Sequence, residues 1–231
     1  MVYCIYKDNL KFGVNVTTSI YDVPIRSWDG TEDNFLEQYK GKVCLVINVT
    51  ADCGNAPQYG IIEEIYQKYK DQGFEVIAVP TNDYCGPGIT YGKWVDGIED
   101  AKQAKDYAED VYDVTYKFTE LVTSRPSSEW SGKLKPGQTT HPIYEELTKL
   151  KDGEVYEMGG NFEKFIVGRD GKVACVLPNY TLLDYARINF LKGNLKAGGE
   201  LAHKLPMDSA DSYAKICNEI EKALAKPAPQ K

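Results

Sequence analysis

Residues 43 to 50, Val-Cys-Leu-Val-Ile-Asn-Val-Thr, form a continuous β-branched run, the pattern of a strand buried on both faces. Such a strand needs covering layers on either side, and the residues that follow supply one. Tyr59, Ile62, Ile65, Tyr66 and Tyr69 recur at helical spacing, with Pro57 suited to the first turn and Gly73 to the stop. Phe74 to Val79 then reads as a second buried strand. Strand, helix and strand in this order predict a right-handed parallel crossover, with Cys53 at the carboxyl end of the first strand. Ligands bind at that edge in open α/β sheets.

Further along, Ala101, Ala104, Tyr107, Ala108, Val111 and Tyr112 outline a second amphipathic helix, leading to a short strand near Val114 to Phe118. Leu121 to Thr140, with Pro126, Ser127, Ser128, Gly132, Pro136 and Gly137, is a long loop. Pro142 opens a helix carrying Ile143, Tyr144, Leu147 and Leu150, with His141 capping or packing at its start. Phe162 to Leu177 reads as two strands around Arg169-Asp170-Gly171-Lys172, where Asp-Gly is a hairpin signal. Tyr213, Ile216, Cys217, Ile220 and Leu224 place an apolar stripe on a last helix that ends before Pro227. Nothing repeats and no linker divides the chain, so residues 1–231 read as one domain.

The charge balance, 27 Lys and Arg against 34 Asp and Glu, disfavours a nucleic-acid backbone or an anionic membrane surface as partner. No apolar run approaches the roughly 20 residues of a bilayer span, and the first residues lack the charge and hydrophobicity pattern of an export signal. Six cysteines, at 4, 44, 53, 85, 175 and 217, form no dense framework and read as mostly reduced thiols in the cytoplasm. Cys44, Cys175 and Cys217 fall on core patterns. His141 and His203 are far from any cysteine pair and give no zinc spacing, so no metal or bound cofactor is expected.

Cys53 is the first candidate to carry chemistry. A cysteine between a buried strand and the amino end of a helix meets exposed backbone N–H groups and the positive end of the helix dipole, which favour the nucleophilic thiolate. The other reading of such a residue is a small apolar core side chain. Asp52, just before it, reads as a loop carboxylate capping the helix.

The neighbouring residues resemble a known family. Asn48-Val49-Thr50-Ala51-Asp52-Cys53-Gly54-Asn55-Ala56-Pro57-Gln58-Tyr59 is similar to the nucleophile motif of the glutathione peroxidases, whose reactive residue is cysteine or selenocysteine. Ser19-Ile20-Tyr21-Asp22, Asp29-Gly30 and Tyr39-Lys40-Gly41-Lys42-Val43 resemble the family's entry segment. Val114-Thr115-Tyr116-Lys117-Phe118, His141-Pro142-Ile143-Tyr144 and Asn161-Phe162-Glu163-Lys164-Phe165-Ile166-Val167-Gly168-Arg169-Asp170-Gly171 match later family segments in order. The resemblance covers about 19–185. It implies an α/β, thioredoxin-like fold with a central mixed β-sheet flanked by helices. An extra N-terminal segment, the long loop and a C-terminal extension over about 190–231 are additions that would form a lid or a homo-oligomer contact.

The resemblance also implies reduction of hydroperoxides through a sulfenic acid on Cys53, with a thiol reductant such as glutathione or thioredoxin as co-substrate. In the family, a Gln, a Trp and an Asn donate hydrogen bonds around the sulfur. Asn161 fills the asparagine position, Asp83 stands where the glutamine is expected and Gly160 where the tryptophan is expected. An ionised carboxylate only accepts hydrogen bonds, so Asp83 either points away, or is protonated and donates a proton, or the peroxidase is inefficient. Loss of the ring at Gly160 is expected to open a pocket for a bulkier organic substrate, unless another side chain such as Trp94 or Trp130 fills it. The usual resolving cysteine is missing between Ala101 and Tyr112, which leaves Cys85 as the candidate resolving partner. Lys133 and Lys135 would meet an anionic thiol or remain a solvated pair. The alternative function is a diverged homologue without efficient peroxidase activity that binds or acts on a different sulfur or organic ligand.

Overall fold

The computed structural model describes residues 19–51, 53–84, 86–90, 93–95, 98–124, 139–149, 154–182 and 209–229. Its centre is a five-stranded mixed sheet made of β1 (Val43–Val49), β2 (Phe74–Pro80), β5 (Lys117–Phe118), β6 (Lys164–Val167) and β7 (Val173–Leu177), in the order β5-β2-β1-β6-β7. β1 runs parallel to β2, and β2 to β5, while β6 is antiparallel to both β1 and β7. β3 (Gly86–Thr90) and β4 (Lys93–Val95) form a separate antiparallel pair where the sequence reads only as a Gly/Pro-rich loop. Its glycines and proline carry no apolar alternation, which is the signal that strand reading depends on.

β1 is buried along its whole length because its two faces enter two different cores. Val43, Leu45, Ile47 and Val49 join a cluster with α1 (Gln58–Tyr69), α2 (Ala101–Tyr112) and the last described helix, α4 (Ser209–Leu224). Cys44 and Val46 face the second cluster, built from the segment around Ile20–Tyr39 and from α3 (Pro142–Leu147). Alternation therefore decides the side, while both sides are apolar. This is the thioredoxin-like α/β arrangement that the family resemblance implies.

Local signals explain the element ends. Pro57 precedes α1 with helical φ, and Gly73, in the left-handed region at φ 82°, turns the chain from α1 into β2. Asp100 caps α2 by accepting from the Gln103 N–H, and His141 Nδ1 accepts from the Ile143 N–H at the head of α3. No described helix is long and apolar enough to cross a membrane.

The cysteines depart from the expected pattern at one point. Cys44 and Cys217 are buried thiols, but Cys175, 7% exposed on β7, is disulfide-bonded. Letter spacing carries no information on which cysteines meet in space.

Candidate active site

Cys53 lies four residues past β1, at the carboxyl edge of the parallel β1–β2 pair, and is partly exposed. The chain turns tightly after it. The Cys53 carbonyl accepts from the Ala56 N–H at 2.8 Å, which brings the Asn55 N–H to 3.4 Å from Cys53 Sγ. Asn161 reaches the same sulfur from the loop before β6, with Nδ2 3.9 Å from Sγ. A thiolate here is met by the Asn55 main-chain N–H and by Asn161 Nδ2.

The loop that presents Asn161 is unusually well held. The Gly160 carbonyl accepts from Asn48 Nδ2 at 3.0 Å, the Asn161 carbonyl from Asn55 Nδ2 at 3.0 Å and the Phe162 carbonyl from Lys164 Nζ at 2.6 Å. Asn48 Oδ1 also accepts from the Glu163 N–H at 2.8 Å, and the Phe162 N–H donates to the Asn48 carbonyl at 2.7 Å. These ties hold Phe162 at φ 71°, a left-handed conformation that costs a bulky residue about 1–3 kcal/mol. The Phe162 ring packs edge-on against Tyr59, centroids 4.8 Å apart, and the Tyr59 hydroxyl donates to the Thr50 carbonyl at 3.0 Å. Strain at the residue after Asn161 is thus held by a buried floor.

Two buried ionisable groups sit under the loop. Glu163 accepts from the Gly159 N–H at 2.8 Å and from the Tyr156 hydroxyl at 2.9 Å, and burial pushes its carboxyl up. Lys164 is fully buried, and burial pulls its ammonium down from 10.5 to about 7 against the opposing pull of Glu163. Both groups are displaced towards their neutral forms. Cys44, by contrast with Cys53, is enclosed in the core, where burial pushes its thiol up to about 12.

Asp83 follows β2 at the same sheet edge as Cys53, and its Oδ2 accepts from the Ser124 N–H at 2.5 Å. Its charge is felt by the buried hydroxyls of Tyr144 and Tyr84, whose ionisation it opposes in addition to burial. Gly160 does not leave a void at its Cα: a Cβ built there would lie 2.5 Å from Asn179 Nδ2. The opening expected from loss of a ring is closed at its root by a carboxamide. Cys4, Asp52, Cys85, Trp130, Lys133, Lys135 and His203, with the side chain of Trp94, lie outside the described residues. No metal-binding cluster of His, Cys, Asp and Glu occurs among the described residues.

The motif reading assigned no role to Asn48, Asn55, Lys164 or Asn179. Asn48 and Lys164 had a legible signal, since a polar residue inside a buried strand must find partners. Asn179 had none, because its relation to Gly160 exists only after the sheet has formed.

Comparison with known proteins fits this geometry. A family model described as glutathione peroxidase matches residues 20–125. The glutathione peroxidase homolog BsaA of Staphylococcus epidermidis is 34% identical over 158 residues, spanning 67% of this chain and 85% of that protein. The chain belongs to the glutathione peroxidase family. Glutathione peroxidase-like peroxiredoxin 2 of Saccharomyces cerevisiae is 32% identical over 160 residues, 68% of this chain and 86% of the yeast protein. A crystal structure of Trgpx in apo form superposes with a TM-score of 0.52 at 26% identity, covering 92% of this chain and 99% of that one. Within this glutathione peroxidase family member, the candidate cysteine and the Asn55 N–H lie in the turn between β1 and α1, and Asn161 lies in the loop into β6.

Proposed function

We propose that this protein is a thiol-dependent peroxidase in which Cys53 reduces hydroperoxides. The observation that carries the reading is the pair of N–H donors, Asn55 N–H and Asn161 Nδ2, converging on a partly exposed sulfur at the head of α1. Names of the family relatives support it.

The Cys53 thiolate attacks the terminal peroxide oxygen, forming an S–O bond as the O–O bond breaks. Sulfur is oxidised by two electrons, the peroxide is reduced, and the departing alkoxide or hydroxide takes a proton to leave as alcohol or water. A thiol then attacks the sulfenic acid, forming a disulfide and releasing water, and a second thiol returns Cys53. Glutathione or thioredoxin fits that role, with Cys85 as an internal resolving thiol. Asn161 and the Asn55 N–H hold the anion before attack, preorganised because the loop behind them does not need to move. Asp83 donates a proton only in its protonated form, and its charge otherwise opposes formation of the thiolate.

Mass spectrometry of the reduced protein after brief exposure to one equivalent of hydrogen peroxide or an organic hydroperoxide tests the reading, with Cys53→Ser alongside. The expected result is rapid oxidation at Cys53, seen as sulfenic acid or a Cys53–Cys85 disulfide and absent in the variant. A Cys53 oxidised no faster than a small-molecule thiol would overturn it and point to a ligand-binding relative.

A further inference from the structure

Asn179 follows β7, and three side chains clamp its main chain. Its carbonyl accepts from Gln58 Nε2 at 2.8 Å and lies 3.4 Å from Lys164 Nζ, while its N–H donates to the Glu163 carboxylate. These partners come from the first turn of α1, from β6 and from the residue before β6. With its backbone held, the Asn179 side chain lies across Gly159 and Gly160. A Cβ on Gly160 would meet Nδ2 at 2.5 Å and Cγ at 3.4 Å, and a Cβ on Gly159 would stand 3.8 Å from Oδ1.

We propose that Asn179 is a positioning residue of the Cys53 site: its carboxamide takes the side-chain volume of position 160 and braces the turn that aims Asn161 at the sulfur. Gly160 immediately precedes Asn161, and its carbonyl is already tied to Asn48 Nδ2 at 3.0 Å. The turn is therefore held twice, by Asn48 through a hydrogen bond and by Asn179 through contact. Positions 160 and 179 form a coupled pair. Any side chain at 160 forces the carboxamide to rotate away, since the Asn179 main chain has three partners to lose before it can shift. Shortening Asn179 to alanine removes the obstruction, because its own Cβ is 3.9 Å from the new one, an ordinary contact.

The inference rests on the peroxidase reading only where peroxide is the probe, so the test carries a second probe. Full-length wild type, Gly160→Ala, Asn179→Ala and the double variant are compared by the rate at which Cys53 reacts with hydrogen peroxide and, separately, with iodoacetamide. The alkylation is followed across about pH 5–9 to report the thiolate, and melting temperatures are measured in parallel. Coupling in the range shown by residues in contact predicts about a tenfold slowing for Gly160→Ala and about threefold for Asn179→Ala. The double variant should match Asn179→Ala, and the alkylation midpoint should rise in both single variants as the Asn161 donor loses its aim.

Penalties that multiply independently in the double variant would overturn the proposal. So would unchanged pH profiles with losses that follow melting temperature alone, the signature of a purely structural contact. A wild type inert to peroxide whose alkylation still shows the coupling would sink the peroxidase reading and leave this one standing.

Discussion

The loop entering β6 and the loop leaving β2 both end at the sheet edge that carries Cys53, yet they solve their hydrogen-bonding differently. In the first, three consecutive carbonyls, Gly160, Asn161 and Phe162, each have a side-chain donor from β1, from the turn before α1 or from β6. In the second, Asn82 Nδ2 donates to the Ile98 carbonyl and Asp83 Oδ2 accepts from the Ser124 N–H at 2.5 Å, while Thr81 Oγ1 and Asn82 Oδ1 are buried with no hydrogen-bond partner among the described residues. On the first side the atom without a partner is Asn161 Oδ1, part of the side chain that faces the sulfur. A donor can be preorganised only by a backbone that is itself over-determined. The comparison therefore separates a loop in which three successive carbonyls are tied by side chains from one whose side-chain ties leave two buried oxygens over.

The brace should fail expensively. Asn48→Ala strands the Gly160 carbonyl and the Glu163 N–H in the interior, each worth roughly 1–3 kcal/mol unpartnered, so a loss of about 3 kcal/mol is expected. Urea denaturation should show a lower midpoint with an unchanged slope, and Cys53 should react more slowly with peroxide. A loss below about 1 kcal/mol would mean that the loop has another support and would break the contrast.

Lys164 sharpens the same side through pH. Its ammonium titrates near 7 in the folded protein and near 10.5 in the unfolded chain. Between those values the unfolded chain binds a proton that the folded protein does not, so stability rises with pH across the window. The slope from this group is at most about 1.4 kcal/mol per pH unit. Glu163, pushed up by burial, contributes with the opposite sign in a lower window that begins near 4.5. Lys164→Met should abolish the climb relative to wild type in urea midpoints taken from about pH 7 to 10. An unchanged climb would show that the lysine is charged, and therefore solvated, in the folded protein.

How legible was this in the letters? α1, α2, β1, β2 and the β6–β7 hairpin follow from periodicity and punctuation, because each is a local pattern that burial then enforces. β3 and β4 escape because Gly-Pro-Gly has no pattern to read. Cys53 and Asn161 are visible through motif resemblance, and the structure places them 3.9 Å apart, sulfur to Nδ2. The brace is not visible, because Asn48 and Gly160 are 112 positions apart, and Gln58 and Asn179 are 121 apart. Cys175 shows the same limit: its burial is local information and its disulfide is not.

On the other loop, effects should be small. Asp83 shares the sheet edge with Cys53, and removing its charge by Asp83→Asn should favour the thiolate. The midpoint of Cys53 alkylation should fall by about half a pH unit, the size of a screened charge effect. A rise would instead assign the Asp83 carboxyl as a donor to the sulfur.

The smallest effect is expected at Thr81, and its smallness is the point. The residue is fully buried, its N–H donates to the Val49 carbonyl at 2.9 Å, and Oγ1 has no partner among the described residues. The main chain is therefore held without help from the side chain. Thr81→Val replaces the hydroxyl by a methyl of similar shape, deleting a desolvated polar atom and breaking no hydrogen bond in the described structure. Stability should stay within about 0.5 kcal/mol of wild type, on the favourable side, while Asn48→Ala loses several times that amount. If Thr81→Val were as damaging as Asn48→Ala, the hydroxyl would have to be held by a group outside the described residues. The loop after β2 would then be a second brace, and the asymmetry around Cys53 would disappear.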